Sequence, residues 1–416
     1  MNSFSYVFLA MLSLGIATQW LLLHRHIRHI NRHRGQVPEA FRDKITLEEH
    51  QKAADYTIAR SRTGQAELII SSVLLLVWTL GGLLESVDIF WRPLTPGPIL
   101  YGISVILSIM LISALLDIPM SLYRTFRLEE HFGFNKTTPK TFILDLVKGL
   151  LLTLLIGTPI IALVLWIMQS AGQLWWLYVW LTWFAFSLLM MWAYPAFIAP
   201  VFNKFRPLDN EALRTRIEAL LDRNGFTSQG IFVMDGSTRS SHGNAYFTGL
   251  GANKRIVFFD TLINDLSHEQ IEAVLAHELG HFKCHHIKKR IAAMAGISLI
   301  GLAILGWLID QPWFYQGLGV NTPSIHMALI LFMLASPAFT FFLQPVFSLM
   351  SRKHEFEADN FAAKQAQADD LIQALVKLYK ENANTLTPDP MYSAFHDSHP
   401  PAPIRIANLN SMQAGV

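Results

Sequence analysis

Seven stretches of this chain are apolar over enough length to cross a lipid bilayer, and that limits the fold more than any other feature. They lie near 5–23, 68–90, 99–122, 149–170, 174–197, 291–309 and 324–350. About 20 apolar residues of helix span the hydrocarbon layer, and inside it every backbone amide must find its partner within the segment, so each stretch reads as a transmembrane helix. Composition agrees. Of 416 residues, 52% are hydrophobic and 15% charged, well outside the range of soluble domains. The first stretch lacks a basic start and a small-residue cleavage site, so it reads as a retained anchor rather than a signal peptide.

Basic residues alternate between the connecting loops. Nine Lys and Arg, from Arg25 to Arg62, separate the first two spans, and Arg124, Arg127, Lys136 and Lys140 separate the third from the fourth. The opposite loops, WRPLTPGP, QSAGQ and DQPWFYQG, hold only Arg92. Short basic loops stay in the cytoplasm, which places the N-terminus outside and residues 203–290 and the C-terminal tail inside. The expected organisation is residues 1–202 as five spans with basic loops, 203–290 as a small α/β unit, 291–350 as two spans, and 351–416 as C-terminal helices and tail. The run HRHIRHINRHR reads as a cationic segment meeting anionic lipid headgroups. A net charge of +2 argues against nucleic acid as a partner.

In the α/β unit, Asp209 is expected to cap a helix carrying Leu213, Ile217, Leu220 and Leu221 on one face, with Gly225 just past its end. IFVMD reads as a strand, and NAYFTGL and RIVFFD as a hairpin about the turn GANK. Ser267 and Gln270 form a capping box that opens a helix carrying AVLAHELGHF. EFEADNFAAKQA and DLIQALVKLYKEN read as two further helices. Glu85, Asp88 and Asp117 lie in or near apolar spans, where ionisable groups face protein or water; Asp117 is the better candidate for an internal position. Pro159, Pro195 and Pro345 are expected to kink or end their helices.

On the AVLAHELGHF helix His277 and His281 are four residues apart and share one face, while Glu278 sits beside them. This is the arrangement of a zinc peptidase. The ion polarises the scissile carbonyl and acidifies a water, and Glu278 serves as the proton-accepting base. Small Gly280 permits close packing beside the ion. The lone Cys284 excludes a disulfide and a cysteine-rich metal framework, so any metal must use His and carboxylate ligands. A catalytic zinc takes a third protein ligand, and SRKHEFEAD offers Glu355, with Glu357 and His354 as rivals; Asp359, one turn beyond Glu355, can orient a ligand histidine. Two spans separate His281 from Glu355, which returns the chain to the same side. Cys284 and His285 are expected on the ligand-bearing face, one turn further along the same helix, as packing and polar neighbours.

With these motifs assembled, the chain resembles the type I CAAX prenyl proteases, integral-membrane zinc enzymes. EEHFGFNKTT at 129–138, RSSHGNAYFTGLGANKRIVFFDTL at 239–262, HELGH at 277–281, SRKHEFEAD at 351–359 and YSAFHDSHPPAPIRI at 392–406 carry the likeness and run in family order over nearly the whole chain. The resemblance implies a mainly α, polytopic membrane protein in which seven transmembrane helices enclose a water-filled chamber, with a small α/β zinc-protease unit on the cytoplasmic side. It implies one Zn(2+) per chain held by His277, His281 and Glu355, with Glu278 as base. It places Asn244 and Ala245 along an edge strand that binds substrate backbone, and His399 and Arg405 around the tetrahedral intermediate.

The leading reading is a membrane zinc endopeptidase acting near the C-terminus of a peptide or lipidated protein substrate, in contact with membrane lipids and with no oligomer required. A quality-control protease of the HtpX type is the alternative within the same class, and a polytopic transporter with a structural zinc site the alternative from another. No retention signal or transit peptide is visible, and the loops are compact. The expected location is therefore a bacterial inner membrane, or the endoplasmic reticulum membrane in a eukaryote, with the active site towards the cytoplasm.

Overall fold

The computed structural model describes residues 1–248 and 254–414. The first two helices, α1 (Ser3–His33) and α2 (Leu47–Trp78), each open on a reciprocal cap, Asn2 with Ser5 and Thr46 with Glu49. At 1.5 Å per residue each runs well over 40 Å, beyond the roughly 30 Å of hydrocarbon. Their polar ends therefore project out of the apolar layer.

The second span is bent rather than straight. α2 gives way to α3 (Leu83–Trp91) with a bend of 47° at the sequence Gly81-Gly82. A Cβ at Gly81 would stand 2.8 Å from Val77 Cα and O, and Gly82 has φ +79°, so both positions require glycine. Beyond it, α4 (Pro98–Tyr123), α5 (Pro139–Leu152), α6 (Thr158–Ser170) and α7 (Trp175–Ala193) continue the bundle. Pro159 and Pro195 do not end their spans. Each is accommodated at a widened turn, Thr153–Gly157 and Tyr194–Ile198, where the missing N–H and the bulk of the ring are tolerated. Exposed Leu115, Ile143, Leu155, Trp166 and Leu181 give these helices an apolar exterior.

A short α8 (Ala199–Phe202) leads to a four-stranded sheet in the order β1-β2-β4-β3, with β1 (Phe205–Pro207), β2 (Ile231–Met234), β3 (Ala245–Thr248) and β4 (Arg255–Phe259). β2 and β4 are parallel, and the expected hairpin is the antiparallel pair β3–β4. Most of its turn, residues 251–253, lies outside the described residues. α9 (Glu211–Arg223) buries Leu213, Ile217, Leu220 and Leu221 and is followed by Gly225 at φ +57°. Its cap is Asn210, not Asp209: Asn210 Oδ1 accepts from Leu213 N at 3.0 Å, while Asp209 lies one residue too early and faces Arg206 at 3.9 Å.

α10 (Asp260–Asp265) precedes α11 (His268–Lys283), which opens on the Ser267–Gln270 box. α11 ends earlier than expected. His285 adopts a left-handed conformation, φ 59°, and α12 (His286–Leu308) starts in a new direction, so His285 does not continue the ligand-bearing face. After α13 (Pro312–Gly317) and α14 (Ile325–Thr340), Pro345 follows a tight turn at Phe341–Leu343 and opens α15 (Gln344–Gln365). EFEADNFAAKQ is thus the far end of the helix that completes the last span, and position 350 is no break. α16 (Ala368–Glu381), α17 (Pro390–His396) and α18 (Ala402–Ala414) complete the chain.

Among the described residues six continuous helical runs, Ser3–His33, Pro98–Glu129, Pro139–Ser170, Gly172–Phe202, His286–Leu308 and Ile325–Gln365, are long and apolar enough to cross a membrane, and the bent α2–α3 pair, counted as one span, adds a seventh. Residues 203–290 and the C-terminal helices share one core. In it Ile217, Phe258 and Leu275 lie with Ala362, Leu371 and Leu409, and Phe41 joins from the first loop. The basic end of α1 reaches the same side, where Arg25 lies 3.1 Å from Asp389 and Glu49 2.8 Å from Lys380. At the other end, Asp88 is buried against Arg92 (2.6 Å), His326 (2.9 Å) and Tyr101, tying α3, α4 and α14 together. Glu85 accepts from Asn321 N at 3.0 Å. Asp117 lines a cavity of 450 Å³ between α1, α2 and α4. That cavity adjoins a larger one of 670 Å³ at Leu23 and Gly64.

Candidate metal centre

Two helices build the centre. α11 presents His277 and His281 one turn apart, and α15 crosses it with Glu355 and Asp359 one turn apart. The crossing is close because residue 280 is glycine: a Cβ there would stand 2.9 Å from Ala358 Cα and 3.0 Å from Ala358 O. Alanine would gain up to about 1 kcal/mol of helix propensity but overpack a tight contact at about 1–3 kcal/mol, and the second effect wins. Gly280→Ala is expected to lower the melting temperature and to weaken metal binding, measured by thermal unfolding and chelator competition.

Donor atoms of His277, His281 and Glu355 lie within 4.8 Å of one another. His277 Nε2 is 3.3 Å from His281 Nε2 and 3.4 Å from Glu355 Oε2, and His281 Nε2 is 3.4 Å from Glu355 Oε1. The opposite ring nitrogens are engaged away from the cluster, His277 Nδ1 with Asp359 at 2.8 Å and His281 Nδ1 with His286 Nδ1 at 3.0 Å. Arg405 grips Asp359 with two bonds, Nε to Oδ2 at 2.8 Å and Nη2 to Oδ1 at 2.6 Å, and its Nη1 is 3.6 Å from Glu355 Oε2.

This arrangement fits a divalent cation. Asp359 draws the His277 proton to Nδ1 and turns a lone pair into the cluster, where two imidazole nitrogens face each other at 3.3 Å. Glu355 Oε2 is buried without a hydrogen-bond partner. Buried polar atoms are seldom left so, and a cation among two imidazoles and a carboxylate supplies the missing partner. Without a cation, burial and the Arg405 guanidinium oppose a charged His277, but the carboxylates of Asp359 at 2.8 Å and Glu355 at 3.4 Å outweigh them and raise its pKa to about 9.

The rival ligands point elsewhere. Glu357 Oε2 lies 2.9 Å from His286 Nε2, and His354 stacks on the His286 ring at 4.1 Å. Glu278 is half-buried on the wall of the 670 Å³ cavity, and among the described residues no hydrogen bond or ion pair engages its carboxylate. Asn244 and Ala245 line the same cavity at the start of β3, the edge strand of the sheet. His399, with a side chain 61% exposed, brings Nε2 to 3.5 Å from Glu355 Oε1, and its Nδ1 lies 2.9 Å from Ser398 Oγ. Arg405 is buried and also lines this cavity.

Sequence reasoning missed the residues that hold the entry to β3. Asn382, just past α16, accepts through Oδ1 from Gly243 N at 3.1 Å and lies 3.2 Å from His242 Nδ1. The EEHFGFNKTT segment docks here as well: Glu129 is 3.6 Å from His242, and Ser241 N donates to Phe134 O at 3.1 Å. No local pattern marks Asn382, because its partners are distant in sequence.

Residues 26–204 match the family model for the CAAX prenyl protease N-terminal region, five membrane helices, and residues 207–413 match peptidase family M48. The chain belongs to peptidase family M48. An M48 relative, CAAX prenyl protease 1 homolog of Arabidopsis thaliana, is 41% identical over 313 residues, covering 75% of this chain and 74% of its own length. The Dictyostelium discoideum homolog is 36% identical over 396 residues, 91% of this chain and 90% of its own. The crystal structure of S. mikatae Ste24p superposes with a TM-score of 0.91 at 32% identity, covering 98% of this chain and 99% of that one. As an M48 member with six or seven apolar spans among its described residues, the protein is a multi-pass membrane metallopeptidase.

Proposed function

We propose that the protein is a zinc endopeptidase that hydrolyses peptide bonds near the C-terminus of prenylated or membrane-associated substrates, with its catalytic side in the cytoplasm. One observation carries the reading: the His277, His281 and Glu355 donors converge beside Glu278 on the wall of a cavity of 670 Å³ that also exposes the edge of β3. The names of the relatives support the substrate class, and the shared side of the basic loops and the catalytic unit supports the orientation.

His277, His281 and Glu355 would hold the zinc, which supplies polarisation of the scissile carbonyl and acidification of a water. Glu278, free of other partners among the described residues, takes the proton of that water and hands it to the leaving amine. Substrate backbone adds as a strand to β3 beside Asn244 and Ala245. His399 lines the same cavity. With Nδ1 accepting from Ser398, it presents Nε2–H to developing negative charge. Arg405 works through Asp359, fixing His277.

Zinc uptake should be coupled to protons. Because the zinc-free site holds His277 protonated up to about pH 9, binding at pH 7 displaces that proton. Apparent affinity is expected to rise about tenfold per pH unit between pH 6 and 8, the slope expected for one released proton, as read by chelator competition. A flat profile would contradict the protonated site.

The deciding experiment is mass spectrometry of products from matched prenylated and unprenylated peptides. Faster cleavage of the prenylated peptide is expected. Equal cleavage would remove lipid recognition and favour general membrane-protein turnover, and no cleavage together with solute uptake into liposomes would favour a transporter.

A further inference from the structure

The mechanism leaves unused a buried imidazole beside the metal centre. His286 is almost fully buried at the start of α12. The left-handed turn at His285 ends α11 and folds the His286 ring back against His281, with centroids 5.1 Å apart. Its orientation is held from two directions: His354 stacks on one face at 4.1 Å and 16°, and Glu357 Oε2 lies 2.9 Å from Nε2. Glu357 in turn lies 3.8 Å from Lys289 Nζ.

The proton positions follow from this geometry. An ionised carboxylate only accepts, so His286 Nε2 must carry the proton that meets Glu357. The Nδ1 of that neutral ring is then an acceptor, and the contact of 3.0 Å to His281 Nδ1 requires His281 Nδ1 to donate. His281 Nε2 is left with its lone pair facing His277 and Glu355. The two ligand histidines are therefore backed in parallel ways, His277 directly by the buried Asp359–Arg405 pair and His281 through an intervening imidazole.

We propose that His286 and Glu357 are positioning residues that hold His281 in its metal-binding tautomer and orientation. The proposal rests on the cluster holding zinc. Partners of this kind contribute about 10–100-fold to metal affinity, because the wrong tautomer puts a proton where the cation must bind. Glu357, a rival ligand by sequence, thereby acts on the ion through two rings.

The test is zinc affinity of the purified full-length protein by competition with a chromophoric chelator, together with the ligand-field spectrum of the cobalt-loaded protein. Glu357→Gln is expected to weaken zinc binding by about 10–100-fold and to perturb the cobalt spectrum, with Glu357→Asp recovering part of the affinity. His286→Phe keeps an aromatic ring against His354 and is expected to lose affinity to the same extent. Affinity within about twofold of wild type in both Glu357→Gln and His286→Phe, with unchanged spectra, would overturn the relay. So would a second bound cobalt lost in Glu357→Gln while the first is unaffected. Cys284, His286 and Glu357 have donors within 4.8 Å of one another, and that result would make them an independent metal site. Wild-type protein that takes up no zinc would sink the relay and the metal-centre reading together.

Discussion

Glu278→Ala is expected to retain one zinc per chain and to lose peptide hydrolysis by about 10²- to 10⁴-fold, the usual contribution of a positioned base. The separation of the two effects follows from the geometry. The donors that converge belong to His277, His281 and Glu355, and Glu278 lies beside them on the cavity wall. Its carboxylate has no partner among the described residues, so truncation strands no other buried group. It also removes only methylene and carboxylate from a half-buried helical position where alanine is well tolerated, and the melting temperature should stay within a few degrees of wild type. Elemental analysis and turnover of a matched peptide check both halves. Turnover at the wild-type rate would reject the assignment of Glu278 as base; loss of zinc as well would make it a ligand or a structural support.

Arg405→Met is expected to cost about 3–5 kcal/mol of stability, the loss seen when one partner of a buried ion pair is removed. Arg405 is buried, binds Asp359 through two hydrogen bonds and stands 3.6 Å from Glu355. Methionine fills similar volume but leaves the buried Asp359 carboxylate with only the His277 imidazole beside it and removes the guanidinium from Glu355. Arg405→Lys should recover little, since an ammonium cannot reproduce the two-pronged grip. Pairing Arg405→Met with Asp359→Asn removes one of the stranded charges and should restore part of the stability. Thermal unfolding in detergent, with zinc content measured in parallel, is the readout. An unchanged melting temperature with a fall in kcat alone would instead place Arg405 at the reacting atoms, the role the family resemblance assigned to it.

Much of this architecture can be read locally. Length and apolarity mark the spans, and Gly81-Gly82 also marks the bend, a signal present in the chain but passed over. The capping box at Ser267 and Gln270 and the left-handed Gly225 are contacts within one helical turn, so they depend on neighbours in sequence. The Asp209 cap failed by one residue because Asn210 is an equally good acceptor, and only the path of the chain decides which of the two precedes the first turn. Extending the ligand face to His285 failed because helix termination there depends on a left-handed non-glycine residue, which no propensity favours.

The sequence by itself determined where the apolar spans lie, that two of them separate the HELGH helix from the SRKHEFEAD segment, and that two histidines share a face with a carboxylate beside them. Only the tertiary structure decided which acidic residue completes the cluster. Residues 355 and 357 lie about 200° apart around a helix, so the choice rests on the rotation of α15 about its own axis. That rotation is set by the contact of Gly280 with Ala358 and by the grip of Arg405 on Asp359, both made between segments that no local pattern connects.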